Sequence, residues 1–138
     1  MSKEFSGEDT AKFSSDIVAD QVPTLSPEEA SALAALPSGS ALLIIHRGPG
    51  AGSRYLLDQN QTSAGRHPDA DIFLDDVTVS RRHASIDRVG SVFTISDLGS
   101  MNGTYIDSQR VEKQRLINGM EIMLGKFRLT FYSSDKDR

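Results

Sequence analysis

From Ser40 onward the sequence predicts an all-β domain, a sandwich or a barrel, and three observations carry that expectation. About ten short strand-like runs fall within roughly a hundred residues, a spacing typical of all-β domains. Clusters of Gly, Pro, Asn, Asp and Ser separate them. Asn102-Gly103 and Asn118-Gly119 are strong turn dipeptides, because Asn and Gly tolerate positive φ best. Such a pattern excludes the alternating strands and helices of an α/β enzyme core.

Residues 41–46 form a continuous apolar run, suited to a strand buried on both faces. The loop Gly48-Pro49-Gly50-Ala51-Gly52 follows, then strand candidates at 54–58, 62–65, 72–74, 83–89 and 92–97. Short candidates lie at 109–111 and 115–117, and residues 120–124 and 126–132 close the domain as a hairpin. The domain is expected over 40–133, with 134–138 a frayed, polar end.

Residues 1–39 have scattered hydrophobic residues without a period of two, and read as a largely disordered, acidic tail. One stretch departs from this. Ser26-Pro27-Glu28-Glu29 places a hydroxyl at the N-cap, proline at the first helical position and glutamate three residues after the cap, a capping box. It opens either a short fraying helix over 26–36 that Pro37-Ser38-Gly39 stops, or coil, since so short a helix is marginal alone in water.

The net charge of −4 is uneven. Residues 1–38 hold seven acids against two lysines, whereas 39–138 hold thirteen bases against twelve acids. A nearly neutral domain argues against nucleic acid, which demands a basic face over much of the fold. No apolar run approaches the roughly twenty residues of a membrane span, and the polar start Met1-Ser2-Lys3-Glu4-Phe5 lacks the apolar core of a secretory signal. The chain has no Cys, so disulfides, thiolate metal sites and a Cys nucleophile are excluded, and a reducing cytoplasm is the matching compartment. His46, His67 and His83 lack metal-ligand spacing, so neither a metal nor another cofactor is expected. The glycines at 48–52 are no phosphate-cradling loop, since Gly52-Ser53-Arg54 leads into a strand rather than a Gly-Lys-Ser/Thr helix start.

Chemistry concentrates in three clusters: Gly65-Arg66, Ser80-Arg81-Arg82-His83 and Asn102-Gly103-Thr104. Each lies where a strand-like run gives way to a turn, and so is displayed on a loop. Arg offers a planar fork to phosphate oxygens, Ser80 a neutral donor, and Asn102 a paired donor and acceptor for main-chain groups of a ligand. The bland readings are a surface arginine, a serine that caps a turn, and a hairpin Asn-Gly. A hydrolase built on Ser80 and His83 is disfavoured: there is no Gly-x-Ser-x-Gly elbow, and a His three residues on in an extended chain points away from the Ser.

In this order, Gly-Arg … Ser-x-x-His … Asn-Gly resembles the forkhead-associated domain, a phosphothreonine-peptide reader. The resemblance implies an antiparallel β-sandwich of about eleven strands with recognition residues on loops at one end, and no catalysis. It assigns Arg66, Ser80 and Arg81 to the phosphate and Asn102 to the peptide backbone, with Ser100 lining the peptide groove. His83 braces the loop, Gly65 and Gly103 serve conformation, and Arg82 faces solvent.

Longer stretches resemble one branch of that family, small actinobacterial regulators that inhibit 2-oxoglutarate dehydrogenase and adjust glutamate metabolism. The similar runs include Ser63-Ala64-Gly65-Arg66-His67-Pro68, Asp71-Ile72-Phe73-Leu74-Asp75-Asp76-Val77-Thr78-Val79-Ser80-Arg81-Arg82-His83 and Gly125-Lys126-Phe127-Arg128-Leu129. The resemblance implies a monomer whose unphosphorylated domain restrains metabolic enzymes such as 2-oxoglutarate dehydrogenase or glutamate dehydrogenase. A Ser/Thr protein kinase then phosphorylates the tail, and the domain binds that tail. The branch has two adjacent threonines after a glutamate; here the run is Glu8-Asp9-Thr10-Ala11-Lys12-Phe13. Thr10 therefore takes the second position, and Asp9 replaces the first. A scaffold that reads phosphothreonine on partners in trans is the alternative.

Overall fold

The computed structural model describes residues 23–138, so the expectations for Thr10 and its neighbours lie outside the described residues. The chain divides into two units, Met1–Ala30 and Ser31–Arg138. Helix α1 spans Pro27–Ala34, and the capping box is formed reciprocally. Ser26 N–H donates to Glu29 Oε1 at 2.9 Å and Glu29 N–H to Ser26 Oγ at 3.1 Å, which satisfies two backbone donors that a helix start leaves without intrahelical partners.

Eleven strands follow: β1 Ala41–Ile44, β2 Arg54–Leu57, β3 Gln61–Gly65, β4 Ile72–Phe73, β5 Ala84–Val89, β6 Val92–Asp97, β7 Thr104–Ile106, β8 Gln109–Val111, β9 Lys113–Leu116, β10 Glu121–Leu124 and β11 Phe127–Ser133. They form a six-stranded sheet, in the order β2-β1-β11-β10-β7-β8, and a five-stranded sheet, in the order β4-β3-β5-β6-β9. The apolar faces of the two sheets meet as a sandwich. Its core includes Leu43, Phe93, Ile95, Leu129 and Phe131, and the rings of Phe93 and Phe131 meet edge-on at 5.5 Å across it.

The architecture expected from the sequence is present, with local differences. The pairing of β3 with β4 is parallel. Residues 66–71 loop back so that the Asp71 carboxylate accepts from Ser63 N–H at 2.9 Å, capping a donor on the edge of β3. Strand β7 went unrecognised because only three residues separate the Asn-Gly turn from the next one. The turn joining β7 to β8 is Asp107-Ser108, with φ of 48° and 73°. Such a turn usually announces itself by Asn-Gly. Asn102-Gly103, by contrast, joins strands of different sheets and is not a hairpin.

The C-terminus is not frayed. Residues Asp135–Asp137 form a 3-10 turn, and Ser134, fully buried, donates its hydroxyl to Leu36 O at 2.9 Å. Lys136 Nζ reaches the same carbonyl at 2.9 Å, and Asp137 accepts from Gly39 N–H at 2.7 Å and from the Ser38 hydroxyl. The compact unit accordingly begins at Ser31, ahead of the expected boundary at Ser40. Polar residues at a chain end suggested fraying; here their side chains satisfy backbone carbonyls and amides of the segment before β1.

Candidate functional site

Arg66 leaves the end of β3, and two contacts orient it. Its N–H donates to Ser80 O at 3.0 Å and its Nε to Val79 O at 3.1 Å. The guanidinium is thus fixed by Nε, while its two terminal nitrogens have no partner among the described residues. This proximity depends on Gly65. A Cβ at that position would lie 2.1 Å from Arg81 O, so the Ser80-Arg81 backbone passes directly over the glycine. Its role is close approach, not the special backbone conformation expected.

His83 is fully buried. Its Nδ1 accepts from Ser80 N–H at 3.1 Å. The ring proton therefore sits on Nε2, which donates to Gly103 O at 2.8 Å. One imidazole ties the Ser80 loop to the Asn102 loop. It makes no bond to the Ser80 hydroxyl, so the pair is not arranged as nucleophile and base. Ser80 Oγ instead accepts from Met101 N–H at 2.9 Å, leaving its own O–H to donate outward.

Asn102 is held from the other side, its Nδ2 donating to Thr78 O at 2.9 Å; its Oδ1 and second amide hydrogen have no partner among the described residues. Gly103 has φ of +87°, which Gly adopts without steric cost. Ser100, expected in the peptide groove, is buried. Its hydroxyl donates to Asp97 Oδ1 and accepts from Gly103 N–H at 2.9 Å. A hydroxyl so engaged shapes the loop.

Two aspartates missed in the sequence organise these loops. Asp97 accepts from the Ser100 and Thr104 hydroxyls and from the N–H groups of Gly99 and Ser100. Burial works to raise its pKa, but those four hydrogen bonds outweigh it and hold the carboxyl below its ordinary value. Asp76 is held low chiefly by the hydroxyl and then the N–H of Thr78, against partial burial, with Lys126 assisting at 3.2 Å. The signals were present: Asp97 precedes Leu-Gly-Ser and Asp76 precedes Val-Thr, spacings at which an Asp side chain turns back onto the backbone two residues on. Arg81 and Arg82 are exposed, and both line a groove on the outer face of the five-stranded sheet.

Among the described residues no three His, Cys, Asp or Glu side chains are grouped to hold a metal, and no helix is long and apolar enough to cross a membrane. The two-sheet sandwich, with an Arg fork, a Ser hydroxyl and an Asn amide converging from three loops, defines a ligand-reading module of the forkhead-associated type. The FHA domain family model matches residues 62–125. The chain is 51% identical to the glycogen accumulation regulator GarA of Mycolicibacterium smegmatis, over 99% of this chain and 88% of that protein. It is also 51% identical to the oxoglutarate dehydrogenase inhibitor of Corynebacterium jeikeium, over 97% and 94% of the two chains. A structure solved for an analysis of phosphothreonine-dependent FHA domain interactions superposes with a TM-score of 0.63 at 34% identity, covering 67% of this chain and 95% of that one. This chain belongs to the family of FHA-domain regulators that those proteins represent.

Proposed function

We propose that the protein is a non-catalytic cytoplasmic regulator that binds phosphothreonine segments through Arg66, Ser80 and Asn102. The observation that carries this reading is the convergence of unengaged polar capacity on one rim: the terminal guanidinium nitrogens of Arg66, the Ser80 O–H and the Asn102 amide. Each of these side chains is also anchored by a bond to backbone, so little freedom is lost on binding. Arg66→Ala should cost about 2–4 kcal/mol of phosphopeptide affinity, because it truncates one side of a charge-assisted pair. Asn102→Ala should cost less. Calorimetric titration with a phosphothreonine peptide, alongside thermal melts, measures both; unchanged affinity in Arg66→Ala removes the phosphate assignment.

In this reading the unmodified domain restrains metabolic enzymes, 2-oxoglutarate dehydrogenase or glutamate dehydrogenase, as a monomer. The name oxoglutarate dehydrogenase inhibitor, carried by relatives, supports the first of these targets. A Ser/Thr kinase modifies Thr10, and phospho-Thr10 then occupies the domain's own site. Tethering presents it at about millimolar effective concentration, so even micromolar affinity leaves the site about 99.9% self-occupied. The test is to phosphorylate dilute protein and follow the amide resonances of Arg66, Ser80 and Asn102. If Thr10 is modified and they do not move, the switch fails. Pulldown with unmodified protein separates this regulator from an adaptor in trans, which captures partners only when they carry phosphate.

A further inference from the structure

The outer face of the five-stranded sheet carries a groove of roughly 730 Å³ that adjoins the phosphate site without belonging to it. Its floor is a row of hydroxyls set by strand register: Ser63 of β3 pairs with Ser85 of β5, which pairs with Ser96 of β6. Ala84 and Ile86 point into the core, so alternation turns Ser85 to the groove. Ser85 is only 8% exposed, and its Oγ has no hydrogen-bond partner among the described residues. A buried hydroxyl without a partner is costly, and natural folds rarely leave one unless something else supplies the partner.

The groove wall nearest Ser80 carries Arg81 and Arg82. Neither guanidinium has an ion-pair or hydrogen-bond partner among the described residues. His67 joins them, with its Nδ1 accepting from Asp69 N–H at 3.0 Å. None of the groove's acids pairs with Arg81 or Arg82 among the described residues, and the floor hydroxyl of Ser63 donates to the Asp71 carboxylate at 3.2 Å. Asp87 lies two residues beyond Ser85 and accepts from Gln61 at 3.3 Å; the exposed Asp69 carboxylate stands 3.7 Å from His67 Nδ1. The groove therefore offers two guanidinium groups and the Ser85 hydroxyl, all without a partner among the described residues.

We infer that this groove is an accessory subsite for acidic side chains that precede the phosphothreonine in a bound segment, received by Arg82 and Arg81 over the Ser85 floor. The inference rests on the phosphothreonine reading of Arg66 and Ser80, and deepens it by adding a sequence preference. Charge complementarity within the chain supports it: Thr10 is directly preceded by Glu8 and Asp9. Carboxylates accept hydrogen bonds only, so they match guanidinium donors and a serine O–H alike.

The experiment titrates the full-length protein with two synthetic peptides spanning residues 4–16, both phosphorylated at Thr10. One has the natural sequence and the other carries Glu8→Gln and Asp9→Asn. The wild type should prefer the acidic peptide by about tenfold, the scale of one charge-assisted hydrogen bond. In the Arg81→Gln/Arg82→Gln double variant that ratio should fall to below about twofold. The ratio carries the test, because Arg81 could change the affinity for both peptides together. Equal binding of the two peptides by the wild type, or an unchanged ratio in the variant, overturns the subsite and leaves the phosphate reading standing. Failure of both peptides to bind overturns both. Ser85→Ala supplies a second readout: affinity for the acidic peptide should drop about threefold with no loss of Tm. A lower Tm at unchanged affinity would make Ser85 a structural residue and overturn its place in the subsite.

Discussion

The loop behind Ser80 and the loop bearing Asn102 are each built around one aspartate, and the two carboxylates work in different surroundings. Asp97 gathers four uncharged donors from residues 99–104, including the hydroxyl of the fully buried Thr104. Asp76 takes two bonds from Thr78 and shares its other oxygen with Lys126, whose side chain is 52% exposed. In the first case buried donors would be orphaned if the carboxylate were lost; in the second, water can replace much of what is removed. The same residue type thus makes one loop rigid by hydrogen-bond necessity and the other by a weaker, partly ionic brace. Thr78 links the two, since its carbonyl holds Asn102.

The largest effect should come from Asp97→Ala, which leaves two hydroxyls and two N–H groups without an acceptor. A loss of about 3 kcal/mol in denaturant unfolding, with phosphopeptide affinity falling in parallel, is expected. A loss below about 1 kcal/mol would show that water takes over the carboxylate's role and erase the contrast with Asp76. Next comes acid. Both carboxyls are held below their ordinary value in the folded state, so their contribution is complete above the unfolded value of about 3.9 and disappears as pH falls through the lower folded values. Stability should therefore decline from about pH 4 downward, and Asp97→Asn should flatten that decline more than Asp76→Asn does. Denaturant midpoints taken between about pH 2 and 5 check the order.

Thr78→Val should rank third, removing a hydroxyl that donates to Asp76 and accepts from Lys126 N–H. About 1 kcal/mol of stability is at stake, and Asn102 should lose some of its anchoring. Amide shifts at Asn102 and Gly103, measured without ligand, separate this from a general loosening. Lys126→Ala should do least, under about a third of the Asp97→Ala effect, because exposed ion pairs contribute little. Added salt should change the wild-type Tm no more than it changes that of the variant.

Much of this was legible in the sequence, for identifiable reasons. Strands β5, β6 and β11 announced themselves because alternate apolar residues enter a sandwich core with a fixed side-chain period, and β1 by an unbroken apolar run that is buried throughout. Helix α1 was signalled by Ser26 and Glu29, which act within one turn of backbone. Arg66, Ser80, His83 and Asn102 were readable because their side-chain chemistry and order form a specific pattern. What escaped depended on partners distant along the chain. Ser100 looked like a ligand contact until its hydroxyl was found between Asp97 and Gly103. Gly65 looked conformational until the Arg81 backbone was found above it. The C-terminal residues looked loose because their acceptors, Leu36 and Gly39, lie about a hundred residues earlier.

By itself, then, the sequence determined the all-β class, the capping residues Ser26 and Glu29 and the identity of the three polar groups, since each rests on local periodicity or on the intrinsic chemistry of a side chain. Only the tertiary structure decided which hydroxyls and amides were already satisfied and which remained open. Hydrogen-bond capacity is finite, and whether a donor faces a ligand or the protein depends on what folding brings within 3 Å of it. That separates Ser80 from Ser100 and makes Ser85, one serine among many in the sequence, a buried hydroxyl without a partner among the described residues.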